Sequence, residues 1–514
     1  MPTTTQPMAP VDAAWYHMDG ATNLAMVTGA VLTRTPLDYQ RVIAVYAHRI
    51  LHLKQFRQRV VEKGWPIPSP HWEEDPYFNI DDHFRHVALP EPCDKQALMQ
   101  LLSDLASTPL DYRRPLWQVH VIDRVDSGSA MVLRFHHCVG DGTAMIAVAQ
   151  LLLDTMAGAP LDISLPPQQP SPSGLLDPFV RPVIQLADRS ARQIGSALHD
   201  GLELLSHPAQ VFELAQLAVG SAAIAVGTLL KRPDPPSPLK GRLGVPKRVA
   251  WSEPVPLAEV KAIGKVTGAK VNDVLVAATA GALRHYMQAR QVDVEGMVIR
   301  AVVPVDLRPP DQAMELGNRF GLTFLDLPVG RSGVLQRLAS TKHAMDAIKR
   351  SPEAGVFLGI LDLFGRTPKA VEDVAVGIFG SKASLVLTNV PGPRQTLYLA
   401  GSAIERMIFW VPHPGKLGMG ISILSYDGAV TLGVVADAGL VLEPDAITAE
   451  FNREFARMRA AVNSHVAGTF EGERCHGHTA AGRPCKNRPM RGSSYCRVHS
   501  SRAHPPDGAS RRAS

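Results

Sequence analysis

RFHHCVGDGTAM, residues 134–145, sets two adjacent histidines just ahead of a Gly-Asp-Gly turn. Upstream of the turn, Met131 to His137 reads as a strand. Side chains of a strand alternate between its two faces, so regular strand geometry cannot aim both rings into one cavity. Downstream, TAMIAVAQLLLDTMAG at 143–158 reads as an apolar helix. A histidine at a strand end, beside a glycine turn and a helix start, is well placed to reach a cleft. A lone histidine more often packs in a core. Here a second histidine, an aspartate four residues after His137 and flanking glycines weigh toward chemistry.

The same mixture of elements extends outward. AMVTGAVLT near the start and WQVHVIDRV at 117–125 read as strands, and DKQALMQLLSDLAS at 94–107 has helical spacing of apolar residues. SLPPQQPSPSG at 164–174 is too rich in proline and serine for regular structure. A helical stretch then runs to about residue 231, and RPDPPSPLKG at 232–241 forms a second Pro-rich connector. Beyond it, DVLVAATAGALRHYMQAR at 273–290 holds a helix expected over 273–288, and MVIRAVVPVDL, KASLVLTNV and AVTLGVVAD read as strands. The expected plan is an α/β half at 1–165, a Pro-rich and helical linker at 166–247, a second α/β half at 248–468 and a cysteine-bearing tail at 469–514.

Composition narrows the class. At about 100–200 residues per domain, 514 residues allow two or three domains. The formal charge is +5, but the segment from Glu471 onward carries nine Lys/Arg against three Asp/Glu, a net of +6, so the first 470 residues sum to −1. The body has no basic bias toward nucleic acid; the tail does. Cys93 and Cys138 stand far apart, while Cys475, Cys485 and Cys496 crowd into the tail. With no signal-peptide character in MPTTTQPMAP, this usage points to a reducing cytosol. Leu214–Leu230 has no charged residue, but it is short of the roughly 20 apolar residues a spanning helix needs. A buried or surface-lying helix fits it better, and 211–232 is the candidate membrane contact.

His136-His137-Cys138-Val139-Gly140-Asp141-Gly142 matches HHxxxDG, the signature of CoA-dependent acyltransferases and peptide-synthetase condensation domains. PLDYRRPLW at 109–117 resembles the PLW element (Pro115, Leu116, Trp117) of bacterial wax ester synthase/diacylglycerol acyltransferases. VNDVLVA at 271–277 resembles their Asn-Asp element (Asn272, Asp273). TNVPGP at 388–393 resembles their NVPGP element (Asn389, Pro391, Gly392, Pro393), and PVDAAWYHMD at 10–19 their opening segment. Together these cover about residues 8–465. The resemblance implies two chloramphenicol-acetyltransferase-like α/β sandwich domains arranged as a pseudo-dimer, with the active site in a tunnel between them. It implies an enzyme moving an acyl group from acyl-CoA to diacylglycerol or a long-chain alcohol, at a membrane or lipid-droplet surface, with no cofactor for catalysis. The second histidine, His137, would be the base, and Asp141 a structural anchor for an arginine, with Arg134 and Arg308 as candidates.

Chemistry agrees with that assignment. An alcohol holds its proton about as tightly as water, with pKa about 15.7, so imidazole cannot strip it beforehand. A general base takes it as the oxygen attacks the thioester. Asn272 is either an oxyanion donor or the N-cap of its helix. Cys138 reads as a small buried thiol rather than a nucleophile, because sequence neighbours on a strand or turn generally point apart. Pro115 and Trp117 read as packing residues, and Pro391, Gly392 and Pro393 as shapers of a loop.

The tail has its own pattern. Cys475, Cys485, Cys496 and His499 suit a tetrahedral zinc, with Cys496-x-x-His499 as a close pair; the alternative is a basic tail with incidental cysteines. Its arginines also suit an anionic partner. Two rival functions remain at this stage: a condensation-type acyltransferase drawing on a carrier-bound acyl group, and a non-catalytic lipid-droplet protein.

Overall fold

A computed structural model describes residues 5–64, 69–161, 231–309, 316–349, 351, 353–366, 369–471, 477–478, 482–485, 496 and 498–499. Two units divide the chain, residues 1–454 and 455–514. All the strands among the described residues lie in the first. In chain order they are β1 Thr5–Pro7, β2 Met26–Thr33, β3 Gln58–Lys63, β4 Ser69–Glu74, β5 Phe84–Ala88, β6 Trp117–Val125, β7 Gly128–His136 and β8 Lys247–Trp251. There follow β9 Val255–Pro256, β10 Ile299–Asp306, β11 Phe320–Leu327, β12 Leu385–Pro391, β13 Tyr398–Leu399, β14 Ser402–Trp410, β15 Met419–Tyr426 and β16 Ala429–Asp437.

β7 is a central strand. It is antiparallel to β2 on one side and to β6 on the other, and six of its nine residues are apolar or glycine, as a strand buried on both faces requires. The six-stranded sheet around it has the order β13-β14-β2-β7-β6-β5. A seven-stranded sheet has the order β11-β10-β12-β15-β16-β8, with β9 beside β16, and β1-β4-β3 form a small third sheet. The architecture is the mixed α/β one expected.

One strand crosses between the expected halves. β14, from residues 402–410, pairs with β2, setting Trp410 opposite Thr28. The sheet of the first half thus takes the two strands of one edge, β13 and β14, from the second. Trp410 meets Trp251 of β8 edge-on at 5.9 Å, and both are buried in one apolar cluster with Val132 of β7. Removing each such side chain from water is worth about 1.5–3 kcal/mol, so the two halves share core energy as well as a strand.

Helices complete the frame. In α3, Lys95–Ser107, Asp94 caps the start by accepting from the Ala97 amide at 2.9 Å, and the hydroxyls of Ser103 and Ser107 accept from the amides of Val249 and Lys247 on the edge strand β8. α4 covers Gly142–Leu152 rather than 143–158. It stops where Asp154 exchanges backbone hydrogen bonds with Tyr398 and its carboxylate takes Arg49 at 2.8 Å. The helix expected at 273–288 starts two residues earlier, at Val271. Its cap is Lys270, whose amide donates to Asp273 Oδ2 at 2.8 Å, so Asn272 sits one residue inside the helix and is not the N-cap. Of the Pro-rich connectors, 164–174 lies outside the described residues, and 232–241 forms neither helix nor strand.

Candidate active site

His136 is the last residue of β7, and His137 opens a 3-10 turn, His137–Val139. The change of backbone geometry at that point sends the two rings different ways. His137 lies under the Trp15 ring, stacked at 4.0 Å between centroids, with Phe320 at 5.6 Å. Its Nδ1 is 2.9 Å from Asn318 Oδ1. The Asn318 amide nitrogen donates to Asp12 Oδ1 at 2.8 Å and to the His137 carbonyl at 2.7 Å. Those two bonds fix which end of the amide is oxygen, so Nδ1 of His137 must carry the proton. The unprotonated nitrogen is then Nε2, which has no hydrogen-bond partner among the described residues. Burial holds the His137 pKa down to about 4, against the raising effect of Asp141. The ring is neutral at physiological pH.

Asp12, in the helix Pro10–His17, closes this chain of contacts. Its Oδ1 also accepts the Asn318 backbone amide at 2.8 Å. Burial raises its pKa to about 6, even with both Asn318 hydrogen bonds pulling the other way. Gly317, just before Asn318, has φ +99°, and a Cβ there would come 3.3 Å from Asp12 Oδ2. Left-handed backbone and tight space both call for glycine.

Asp141 is an anchor. Oδ1 caps α4 through the Ala144 amide at 2.9 Å. Oδ2 accepts Arg308 Nη2 at 2.7 Å and the Arg319 amide at 2.9 Å. Arg308 also donates to the Gly317 carbonyl at 2.8 Å. Gly140 and Gly317 form a parallel bridge between the histidine turn and the 316–319 loop. Arg134, the other candidate, faces elsewhere and donates to Gln118 Oε1 at 3.1 Å and to the Thr108 carbonyl.

His136 has a different setting. Its Nδ1 accepts the Cys138 amide at 3.1 Å, and its Nε2 faces Asp19 at 3.7 Å. Its own amide donates to the Leu116 carbonyl at 2.9 Å, so the PLW stretch pins the strand end from which His137 departs. Trp117 is buried, donates from Nε1 to the Phe56 carbonyl at 2.9 Å and stacks on His83 at 4.2 Å. Pro115 precedes it, its carbonyl accepting the Trp117 amide at 2.9 Å. Cys138 is fully buried, and burial pushes its thiol pKa well up, the opposite of an activated nucleophile.

The remaining motifs converge from the second half. Asn389 Nδ2 donates to Asn272 Oδ1 at 2.7 Å. Next to Asn389, the Val390 side chain is what a Cβ on Gly142 would meet, at 3.9 Å. Asp273 is buried at its helix start. Pro391 ends β12, paired alongside Ser425 of β15, and Pro393 accepts the Asp427 amide at 3.0 Å. Gly392 is needed for space: a Cβ would strike the Ser425 carbonyl at 2.2 Å. In the tail unit, ligand atoms of Cys485, Cys496 and His499 lie within 4.8 Å of one another, a set able to hold a metal ion. Cys475 lies outside the described residues.

Sequence reading missed Asn318, Asp12 and Trp15 as neighbours of His137. Asn318 is 181 residues from His137 and 306 from Asp12. No local spacing links them. The Gly-Asn pair at 317–318 between an irregular loop and a strand was the available signal.

Comparisons with known proteins bear on the family and the fold. The model of the wax ester synthase/diacylglycerol acyltransferase catalytic domain matches residues 8–275, and that of the WS/DGAT C-terminal domain matches residues 316–459. A Mycobacterium tuberculosis H37Rv protein named "probable diacyglycerol O-acyltransferase" is 27% identical over 451 residues, 86% of this chain and 93% of that one. Among solved structures, the wax ester synthase/diacylglycerol acyltransferase of Marinobacter aquaeolei VT8 is similar in fold, with TM-score 0.62 and 20% identity, over 89% of this chain and all of that one. The first condensation domain of the calcium-dependent antibiotic synthetase has the same fold at TM-score 0.57 and 15% identity, over 89% of this chain and 96% of that domain.

Proposed function

The chain belongs to the wax ester synthase/diacylglycerol acyltransferase family, and from that premise we propose that it moves an acyl group from acyl-CoA to the hydroxyl of diacylglycerol, or of a long-chain alcohol, with His137 as general base. The observation that carries the reading is the tautomer. Asn318 holds the Nδ1 proton, which leaves the Nε2 lone pair to accept one. As the acceptor oxygen attacks the thioester carbonyl carbon, Nε2 takes the hydroxyl proton. The resulting oxyanion needs donors, and Asn272 keeps its amide N–H groups for that, since its Oδ1 is occupied by Asn389. Collapse re-forms the carbonyl, breaks the C–S bond and returns the proton from Nε2 to the departing sulfur. A thiol pKa of about 8.5 makes that sulfur a good leaving group. The products are an ester and free CoA. The second histidine position of HHxxxDG thus does the proton transfer, and Asp141, through Arg308, holds the turn that presents it.

Both acceptors partition into bilayers, which supports work at a membrane or lipid-droplet surface, and the sparse body cysteines support the cytoplasm as the compartment. Among the described residues no helix is long and apolar enough to cross a membrane. The candidate contact at 211–232 falls almost wholly outside the described residues. The test is acyl-CoA supplied with labelled diacylglycerol or hexadecanol to wild type and His137→Ala. Ester formation that survives loss of the ring would end the proposal.

A further inference from the structure

We propose that Cys485, Cys496 and His499 bind a zinc ion that organises the C-terminal tail, a site separate from the acyl-transfer chemistry. Two short backbone devices bring the three side chains together. An antiparallel bridge between His478 and Pro484, with the Cys485 amide donating to the Gly477 carbonyl at 2.8 Å, fixes the backbone that presents Cys485. The His499 amide donates to the Cys496 carbonyl at 2.9 Å, a single helical turn that puts the Cys-x-x-His pair on one side. Gly477 lets its backbone pass close to the imidazole, since a Cβ there would sit 2.4 Å from the His499 ring.

The distances fit tetrahedral coordination. With Zn–S of about 2.3 Å and Zn–N of about 2.0–2.1 Å, tetrahedral angles put sulfur atoms about 3.8 Å apart and sulfur about 3.6 Å from nitrogen. The observed separations are 3.9 Å between the two Sγ atoms and 3.3 Å from Cys496 Sγ to His499 Nδ1. At 3.9 Å the sulfurs are far outside disulfide length, which is about 2.05 Å. Thiolate plus imidazole is the donor set zinc favours over the hard cations.

Burial makes the same point. Cys485 and Cys496 are 3% exposed and His499 is 9% exposed. Among the described tail residues, the buried apolar cluster consists of those two cysteines alone. A buried, convergent Cys-Cys-His set drawn from separate points of the sequence calls for a stronger tie than apolar contact between two small thiols. A metal ion bound in the folded form only supplies it.

The experiment uses the full chain, purified under reducing conditions, with zinc as the probe. Elemental analysis is expected to find zinc near one equivalent per chain. Cys485→Ser, Cys496→Ser and His499→Ala should each lower it severalfold, while His137→Ala keeps it. Cobalt loaded into the stripped wild-type chain should show intense visible absorption of a tetrahedral thiolate site, a readout that needs no variant to fold. Zinc content that stays low after reduction and reloading overturns the proposal. So does zinc that is unaffected by all three substitutions, an octahedral cobalt spectrum, or a Cys485–Cys496 disulfide found in the reduced preparation.

Discussion

Asn318→Ala isolates the amide that sets the tautomer of the proposed base. Wild-type Asn318 makes four hydrogen bonds, all to protein: from its backbone and side-chain nitrogens to Asp12, from Nδ2 to the His137 carbonyl, and one accepted from His137 Nδ1. Truncation leaves Nδ1 of a buried ring without its acceptor. A buried polar group stripped of its partner costs about 1–3 kcal/mol. At about 1.4 kcal/mol per tenfold, that free energy moves the ring toward the other tautomer, or away from its seat under Trp15, and lowers kcat by roughly 5- to 150-fold. KM should change little, because the lost bonds run to protein. The assay is steady-state ester formation with acyl-CoA and a dispersed acceptor, on Asn318→Ala, His137→Ala and the double variant. Since the amide acts only through the ring, the double variant should be no slower than His137→Ala alone. A single variant keeping more than half the wild-type kcat would refute the reasoning, and so would additive losses in the double variant.

The pH profile of kcat/KM should have its acid limb near 4, the His137 value, rather than near 6.5. The ionisable groups facing the ring are Asp141 and His136, with Asp12 behind Asn318, so Asp12→Asn is the control: a limb near 6–7 that persists in it would contradict the assignment. For stability the signs oppose. The unfolded chain binds more protons at His137 as pH falls from 6.5 to 4, so stability drops over that window; Asp12, protonated up to about 6 when folded, gives stability below 3.8 that is lost as pH rises through 6. Arg308→Ala strands the buried Asp141 carboxylate on two amides and should cost about 3–5 kcal/mol in denaturant unfolding, partly recovered by adding Asp141→Asn. Gly142→Ala should melt like wild type, since its Cβ meets only Val390 at 3.9 Å, whereas Gly392→Ala, driven into the Ser425 carbonyl, should lose about 1–3 kcal/mol; equal melting points for the two would count against the packing described here.

What could be read in advance follows from how far each signal reaches along the chain. β6 at 117–125 and β16 at 429–437 fell where alternation and β-branched residues put them, because strand character is local. The end of α4 was misjudged: its apolar run continues past Leu152, but Tyr398 and Arg49 claim Asp154, and neither is near in sequence. β14 has ordinary strand composition, yet nothing in SAIERMIFW says that its partner is β2 in the other half. The candidate site divides along the same line. HHxxxDG, PLW and NVPGP can be quoted as short strings, and each string positions its own neighbourhood. What would make His137 the proposed base rather than a buried ring is which nitrogen bears the proton, and that rests on an amide oriented by Asp12 and by the His137 carbonyl. The motif therefore supplies an imidazole, while the pairing of the two halves supplies its tautomer. A protein that kept the seven-residue signature but lost the Asp12–Asn318 contact would still match the motif and should be a poor acyltransferase.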